Sequence, residues 1–261
     1  MISRLRILAI AYLTPLSLLV ANEDTLINIV LDNGPNPTAE QLLRHPKITL
    51  AEGQAADGSN ALRVTYIGSE MGSERVVTHV FFPRKTDYAA LDFDVKFEDG
   101  WQFVRGGKLH GVGPDNVVSG GMPRRPESWS SRIMWSKDGY ARTYLYDQGE
   151  GHKYGVGKRT TKPVFKIGEW QHVKIVTRLN DVGQANGFTQ LFVDGELVAD
   201  SQDMEFRGQG GDETLISKFL FSTFHGGNNP SWAPKDADGN FIDVTALFDN
   251  IVVTGAPETA E

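Results

Sequence analysis

The chain has 261 residues, of which 26 are Lys or Arg and 33 are Asp or Glu, and it contains 28 Gly but no Cys. Hydrophobic residues at 40% and charged residues at 23% exclude a disordered chain, and together with the length they favour one packed, mainly β domain. The absence of Cys excludes a disulfide framework, an iron–sulfur cluster, a Cys-ligated zinc site and a Cys nucleophile.

The N-terminal segment has the layout of a secretory signal peptide. Two basic residues, Arg4 and Arg6, precede an apolar run over residues 7–21. The run is shorter than the roughly 20 residues that span a bilayer and contains Pro15, so a retained membrane anchor is the weaker interpretation. We expect residues 1–21 to be a signal peptide and residues 22–261 to be a single domain. The mature protein is then secreted or periplasmic and has no membrane partner.

Beyond the signal peptide, apolar and polar residues mostly alternate, which is typical of half-buried β-strands. A helix is predicted over Thr38–Arg44, with Thr38 as its N-cap and Glu40 in its first turn. The predicted strands are Ala61–Ile67, Val76–Phe82, Ala89–Phe97, Ser130–Trp135, Arg142–Tyr146, His172–Leu179, Phe188–Val193, Phe219–Phe224 and Leu247–Val253. Their spacing predicts an all-β fold, an antiparallel two-sheet sandwich or β-jelly roll.

One segment of this acidic chain is basic. Residues 101–146 contain three acidic residues and seven basic ones, which are Arg105, Lys108, Arg124, Arg125, Arg132, Lys137 and Arg142. Charges act on a partner within about a Debye length, so a local excess of positive charge can attract a polyanion whatever the net charge of the chain. The alternative is a solvated loop region with surplus Arg.

A hairpin within this segment gathers polar side chains on one face. Lys137–Gly139 has the length and the glycine of a three-residue hairpin loop, which pairs Ser136 with Tyr140. Counting outward, this register places Arg142 opposite Met134, Tyr144 opposite Arg132, and Tyr146 opposite Ser130. The other face carries mostly apolar residues. We expect the apolar face to meet the core and the polar face to line an open concave surface.

Several motifs resemble polysaccharide lyase family 14, which includes alginate lyases and a glucuronan lyase with a β-jelly-roll fold. The resemblance spans about residues 91–253 and rests on an ordered set of short motifs. These are Gly106-Gly107-Lys108-Leu109, Ser130-x-Arg132, Tyr144-x-Tyr146, the segment from Phe224 to Pro234, and Phe248-Asp249-Asn250-Ile251. One position departs from the family pattern, since His110 follows Leu109 where proline is expected.

The resemblance implies a lyase whose catalytic residues are Lys108, Ser130, Arg132, Tyr144 and Tyr146. Such an enzyme removes the C5 proton of a uronic acid and expels the C4 oxygen, leaving a 4,5-unsaturated sugar. Arg132 and Lys108 suit neutralisation of the uronate carboxylate, and Ser130 can add a hydrogen bond. Nearby cations are expected to lower the pKa of Tyr144, which makes it the better-placed base. Lys108 is an alternative base if it is desolvated, and Tyr146 is an alternative acid or positioning group.

Further residues near the motifs are candidates for substrate binding. They are Arg105, His110, Arg124, Arg125, Arg142, His225 and Trp232, with the Arg124–Arg125 pair in a loop beside the cleft. The expected partner is an anionic polysaccharide, alginate or another polyuronate, and no nucleic acid. No cofactor and no metal site is expected, because the His residues lack metal-ligand spacing and Asp236–Asn240 lacks the distal Glu of a calcium loop. We expect a monomer.

Three alternatives stay open at this point. The first is a glucuronan lyase. The second is a noncatalytic carbohydrate-binding jelly roll, which needs a planar row of aromatic residues. The third is a retaining glycoside hydrolase, which needs two carboxylates about 5–5.5 Å apart, and the predicted hairpin face carries no acid. Within the lyase interpretation, acid and base candidates on one strand favour mannuronate, whose C5 proton and C4 oxygen lie on the same side.

Overall fold

The computed structural model describes residues 24–257, which form a sandwich of two antiparallel β-sheets. The predicted signal peptide over residues 1–21 lies outside the described residues. Within residues 24–257, no helix is long and apolar enough to cross a membrane.

Residues 24–257 form one α-helix and fifteen strands. The helix is α1 (Pro37–Leu43), and single 3₁₀ turns lie at Lys137–Gly139, Asp212–Thr214 and Pro230–Trp232. The strands are β1 (Asp24–Asn28), β2 (Ile48–Ala51), β3 (Ala61–Tyr66), β4 (Gly68–Ser69), β5 (Gly72–Ser73), β6 (Val76–Thr86), β7 (Tyr88–Phe97), β8 (Gly106–Gly113), β9 (Ser130–Ser136), β10 (Ala141–Tyr146), β11 (Trp170–Arg178), β12 (Gly187–Val193), β13 (Glu196–Met204), β14 (Ile216–His225) and β15 (Val244–Gly255).

The strands form a larger and a smaller sheet. The larger sheet has the order β13-β12-β11-β7-β15-β3-β2, and β1 also pairs with β15. The smaller sheet has the order β10-β9-β8-β14-β6, and β4 and β5 form a separate two-stranded ribbon. Neighbours such as β8 and β14 are far apart in sequence, so the sheets are assembled by long crossovers rather than by hairpins alone. The predicted antiparallel β-jelly roll is confirmed.

The helix begins earlier than the sequence pattern predicts. Asn36, not Thr38, is the N-cap, and its side-chain oxygen accepts a hydrogen bond of 2.9 Å from the backbone N–H of Ala39. Pro37 occupies the first helical turn, where its missing N–H costs nothing and its fixed φ suits the helix. The Asn-Pro pair is therefore the stronger start signal, and the prediction of Thr38 as the cap is wrong.

All nine predicted strands are present, with ends that differ by a few residues. Six strands were not predicted: β1, β2, β4, β5, β8 and β13. Strand β8 contains four glycines, which disfavour strands because they add no packing surface. This omission matters most, because β8 carries Lys108.

The core lies between the two sheets and is rich in aromatic residues. From the larger sheet, Phe93, Phe97 and Phe248 are fully buried, and from the smaller sheet Trp135 and Phe219 meet them. Side chains alternate along each strand, so burial of one face of β9 turns the other face away from the core. The smaller sheet therefore presents a polar outer face.

Ile133→Ala should lower the free energy of unfolding by about 2–5 kcal/mol, because Ile133 is fully buried in the main core and its truncation leaves a cavity. Val77→Ala on strand β6 of the same sheet is the matched control. Val77 is 42% exposed, so this control should cost less than about 0.5 kcal/mol. Urea denaturation of both variants measures the difference, and equal losses would contradict burial of that face of β9.

Candidate active site

The hairpin of β9 and β10 has the predicted register. Tyr144 lies opposite Arg132, Tyr146 opposite Ser130, and Arg142 opposite Met134. The loop between the strands uses two residues with positive φ, Asp138 at 63° and Gly139 at 79°. The opposite face of the hairpin packs in the core as expected, so the polar residues share the outer face of the smaller sheet, here called the site face.

The register of the smaller sheet arranges the site face in three rows that cross the strands. The first row contains Arg142, Met134, Lys108 and Phe224. The second row contains Tyr144, Arg132, Gly111, Leu220 and His79. The third row has Tyr146 opposite Ser130 on one side, and Gly113, Lys218 and Phe81 on the other. Each strand of the sheet thus contributes to the site, and cations recur in every row.

Two loops cover the middle of the site face. The backbone oxygen of Val118 accepts a 2.9 Å hydrogen bond from the Ser130 hydroxyl, and the N–H of Gly121 donates to the Tyr146 hydroxyl at 3.1 Å. A Cβ at Gly155 would lie 3.1 Å from the ring of Tyr144. The expected open surface is therefore wrong at this point: Ser130 and Tyr146 are fully buried, and this part of the site face, here called the covered region, lies beneath the loops.

Arg132 is a buried cation without a carboxylate partner. The residue is only 5% exposed, and its guanidinium donates one hydrogen bond of 3.4 Å to the Ser130 hydroxyl while its Nε has no partner. Within residues 24–257, no Asp or Glu oxygen lies within ion-pair distance of it. Burial lowers the pKa of Arg132, although the neighbouring Tyr144 and Tyr146 oppose that shift. Because an uncompensated buried charge is costly, this guanidinium favours an incoming anion.

Gly111 lets the side chain of Arg132 lie close to β8. A Cβ at position 111 would stand 2.1 Å from the backbone oxygen of Ser131 and 2.6 Å from Cγ of Arg132. Such distances are far inside van der Waals contact, so any larger residue would push Arg132 away. The glycine therefore positions the guanidinium.

Lys108 projects from β8 between the first two rows and is half-buried. Its ammonium lies 3.6 Å from the centre of the Tyr144 ring and 3.0 Å from the sulfur of Met134, a weak acceptor. Burial, together with the positive charges of Arg132, Arg142 and Arg75, holds the pKa of Lys108 well below its usual value. The shift favours the neutral amine over the ammonium more than in an ordinary lysine, and the neutral amine is the form that acts as a general base.

The two tyrosines contact each other on β10. Their hydroxyl oxygens are 3.4 Å apart and their rings meet edge to face. Burial and the hydrogen bond with Tyr146 raise the pKa of Tyr144 to about 12, and the nearby Arg132 only partly opposes this. The expectation that cations lower the pKa of Tyr144 is wrong for the free protein, since desolvation dominates. Tyr144 is therefore protonated and able to donate.

Two of the predicted binding residues lie in the core. His110 is fully buried among Phe93, Phe221 and Phe248, and burial lowers its pKa to about 3. His225 is also fully buried, packs against Trp101 and has a 2.7 Å hydrogen bond with the backbone oxygen of Gln102. Both rings point between the sheets, away from the site face. The structure thus contradicts the expectation that they contact substrate.

The predicted arginines are spread around the site. Arg142 is half-buried beside the ring of Tyr144, at 5.8 Å from its centre, in the first row. Arg124 lies 5.9 Å from the Tyr146 ring and donates to the backbone oxygens of Gly149 and Tyr154. It therefore connects its own loop, between β8 and β9, to the covering loop between β10 and β11.

The other predicted surface residues lie outside the three rows. Arg125 is exposed at the edge of a separate cavity. Arg105, which directly precedes β8, lies 5.0 Å from the Trp232 ring and donates to Ser231 at 3.1 Å, so it contacts the loop after β14. Of the predicted binding residues, only Arg142 therefore lies within the rows.

Sequence reasoning missed several residues of the site face. His79, Phe81 and Lys218 complete the second and third rows, and Arg75 lies 5.2 Å from the Phe224 ring at the end of the first. Alternation on the predicted strands Val76–Phe82 and Phe219–Phe224 could have found His79 and Phe81. Alternation could not have aligned these two residues with the hairpin, because β8, which was not predicted, lies between β9 and β14 in the sheet. Among the described residues, no group of three or more His, Asp or Glu side chains could hold a metal ion.

The chain is similar in sequence and in fold to several known proteins. The exolysin of Paramecium bursaria Chlorella virus 1 is 25% identical over an alignment of 173 residues, and the alignment covers 54% of this chain and 26% of that protein. The chain thus spans about a quarter of the length of that relative. A variant of alginate lyase Aly36B in complex with an alginate tetrasaccharide has a TM-score of 0.68 at 20% identity, covering 91% of this chain and 98% of that one. Alginate lyase vAL-1 from Chlorella virus has a TM-score of 0.66 at 18% identity, covering 89% and 100%.

The solved structures, at these identities, share the fold. The family model is more specific, because it matches one continuous stretch, residues 54–244, that includes every residue of the three rows. Since this stretch is most of the chain, the protein belongs to the polysaccharide lyase 14 family.

Proposed function

We propose that the protein is an alginate-type lyase that cleaves a polyuronate by β-elimination. The observation that carries the proposal is the buried guanidinium of Arg132, which has no carboxylate partner within residues 24–257 and lies beside Lys108 and Tyr144. A uronate carboxylate would supply the missing charge. Family membership and the alginate tetrasaccharide bound by a structural neighbour support the same substrate class.

The proposed reaction begins with charge neutralisation. Arg132 and Ser130 bind the carboxylate of the uronate and stabilise the enolate-like charge that develops when C5 loses its proton. The pair of electrons from the C5–H bond forms the C4–C5 double bond, and the C4–O bond breaks. The proton from C5 passes to the base, and the leaving oxygen takes a proton from the acid. The product is a 4,5-unsaturated uronate end.

Lys108 is the better base and Tyr144 the better acid in this scheme. The lowered pKa of Lys108 favours the neutral amine, whereas the pKa of Tyr144, raised to about 12, keeps its hydroxyl protonated. The amine and the phenol lie next to each other, so proton removal and proton donation occur on one side of the sugar. This arrangement supports a preference for mannuronate over guluronate.

Ultraviolet absorbance tests the proposal directly, because only elimination creates a conjugated double bond. The purified protein is mixed with polymannuronate, polyguluronate and glucuronan, and absorbance is followed together with reducing ends. We expect absorbance to rise fastest with polymannuronate. Faster reaction with polyguluronate would contradict the stereochemical preference, and the fastest rise with glucuronan would make the protein a glucuronan lyase. Reducing ends without absorbance would indicate hydrolysis, and binding with neither would indicate a carbohydrate-binding module.

Arg75→Gln should move the acid limb of the kcat/KM profile to higher pH. Arg75 is one of the cations that lower the pKa of Lys108, so its removal raises that pKa and Lys108 loses its proton only at higher pH. Because the free base is the active form, activity at low pH falls while activity on the alkaline plateau is retained. An unchanged acid limb would contradict Lys108 as the titrating base. Arg178→Gln, an exposed change on β11 of the larger sheet, is the matched control and should not move the limb.

A further inference from the structure

The half of the site face formed by β6 and β14 carries a second set of ligand-binding features. We infer that Lys218, His79 and Phe81 form a subsite that binds another uronate unit of the same chain, next to the unit held by Arg132. The inference rests on the proposed function for its ligand class, a polyuronate. It adds a binding site and three residues on strands that carry none of the proposed catalytic groups.

A cavity of about 340 Å³ marks this subsite. It is lined by His79, Lys218 and Arg125 and by the loop that contains Asp115, Val118 and Met122. The same loop covers Ser130 through Val118, so the cavity borders the covered region. A chain leaving Arg132 toward β6 would enter this cavity directly.

Lys218 supplies the charge for a carboxylate. The residue is only 5% exposed, and its ammonium donates to the backbone oxygen of Asp115 at 2.8 Å. The carboxylate of Asp115 is occupied elsewhere, by Lys85 at 2.8 Å and by the Ser217 hydroxyl at 2.7 Å. Within residues 24–257, no acidic side chain forms an ion pair with Lys218. An ammonium group has three donors, so two stay available for a ligand oxygen.

Phe81 supplies an apolar platform beside that charge. It lies opposite Lys218 in the third row, with the ammonium 5.2 Å from the ring centre, and it is 63% exposed. The exposed ring offers an apolar face on which a sugar ring can stack. A sugar ring stacked on Phe81 would cover it while its carboxylate reaches Lys218.

His79 lies between this platform and Arg132. It aligns with Leu220, Gly111 and Arg132 across the second row, so Leu220 and Gly111 lie between the imidazole and the guanidinium. Burial and the positive charges of Lys218 and Arg132 lower the pKa of His79. A neutral imidazole beside two cations can donate or accept one hydrogen bond, which suits a sugar hydroxyl rather than a carboxylate. The subsite thus recognises both parts of a uronate.

Two measurements on the full protein test the subsite. Calorimetry follows binding of a mannuronate tetrasaccharide to the Tyr144→Phe background, which slows turnover, and the absorbance assay gives KM for polymannuronate. Lys218→Met and Phe81→Ala should each weaken tetrasaccharide binding and raise KM about tenfold, with kcat changed less than about threefold. Lys174→Met is the matched control. It removes one positive charge from β11 of the larger sheet, where Lys174 pairs with Asp92 at 3.3 Å, and should leave both quantities unchanged.

The outcomes separate the subsite from the lyase activity. If the wild-type protein cleaves polymannuronate but the Lys218 and Phe81 variants bind and cleave as it does, the subsite is wrong and the proposed function stands. If the tetrasaccharide binds without cleavage by the wild-type protein and Lys218→Met weakens that binding, the subsite stands and the lyase proposal fails. If the wild-type protein neither binds nor cleaves, both are overturned.

Discussion

Lys108→Ala should lower kcat for polymannuronate by about 10³-fold or more while the protein stays folded. The neutral amine is the proposed base, and it becomes positively charged next to the developing enolate as it takes the C5 proton, so its loss removes both proton transfer and this charge stabilisation from the transition state. Lys108 lies on the half-buried site face rather than in the core, and it forms no ion pair within the described residues. Folding should therefore tolerate its removal. Single-turnover absorbance and urea denaturation give the two measurements.

Companion variants make this result interpretable. Tyr144→Phe should also reduce turnover strongly, by about 10²-fold or more, because the leaving oxygen loses its donor. Lys174→Ala makes the same substitution at a lysine of the larger sheet and should leave kcat unchanged. Retention of most of the activity by Lys108→Ala would eliminate Lys108 as base, and a loss of activity matched by unfolding would show that its role is structural.

The hairpin half of the site could be predicted from the sequence because short-range rules determine it. The loop Lys137–Gly139 sets the register, and strand alternation then places Arg132 and Tyr144 on one face. These rules depend only on residues within about fifteen positions of one another. The other half depends on β8, β14 and β6, which pair across long crossovers. No local pattern aligns His79 or Lys218 with Arg132.

Strand β8 shows why the sequence pattern could not assign Lys108 and His110 to the correct faces of the sheet. Its glycines weaken the strand pattern, yet they are what close packing requires: a Cβ at Gly107 would stand 2.1 Å from the Trp135 ring. A bulge between Lys108 and Gly111 then changes the alternation. Regular alternation would place Lys108 and His110 on the same face, whereas the bulge turns His110 into the core.

The pKa of Tyr144 illustrates a second limit of sequence reasoning. The pairing of Tyr144 with Arg132 was correct, and the attraction it predicts is present. Burial under the loop near Gly155 and the hydrogen bond with Tyr146 outweigh that attraction. Which effect dominates depends on how the loops cover the site face, and their positions follow from the whole fold.

Arg132→Met should abolish measurable turnover and at the same time raise the free energy of unfolding. Arg132 is 5% exposed, and its guanidinium donates one long hydrogen bond, to the Ser130 hydroxyl. No carboxylate within residues 24–257 compensates its positive charge. Replacing such a group by an apolar side chain of similar length removes a desolvation cost, and we expect a gain of about 1 kcal/mol or more. The loss of the carboxylate-binding group should lower kcat/KM by about 10³-fold or more.

A loss of activity together with a gain in stability would identify Arg132 as a functional cation. Replacing a structural cation would instead lower both activity and stability. Arg132→Lys is the matched control: it retains the charge but not the fork of donors, so activity should recover only in part and stability should not rise. A soluble uronate ligand should raise the melting temperature of the wild-type protein but not that of Arg132→Met, since binding to the folded state stabilises it only where the ligand still binds. If Arg132→Met were instead several kcal/mol less stable, the guanidinium would be part of the internal support of the sheet, and its buried charge would no longer indicate an anionic substrate.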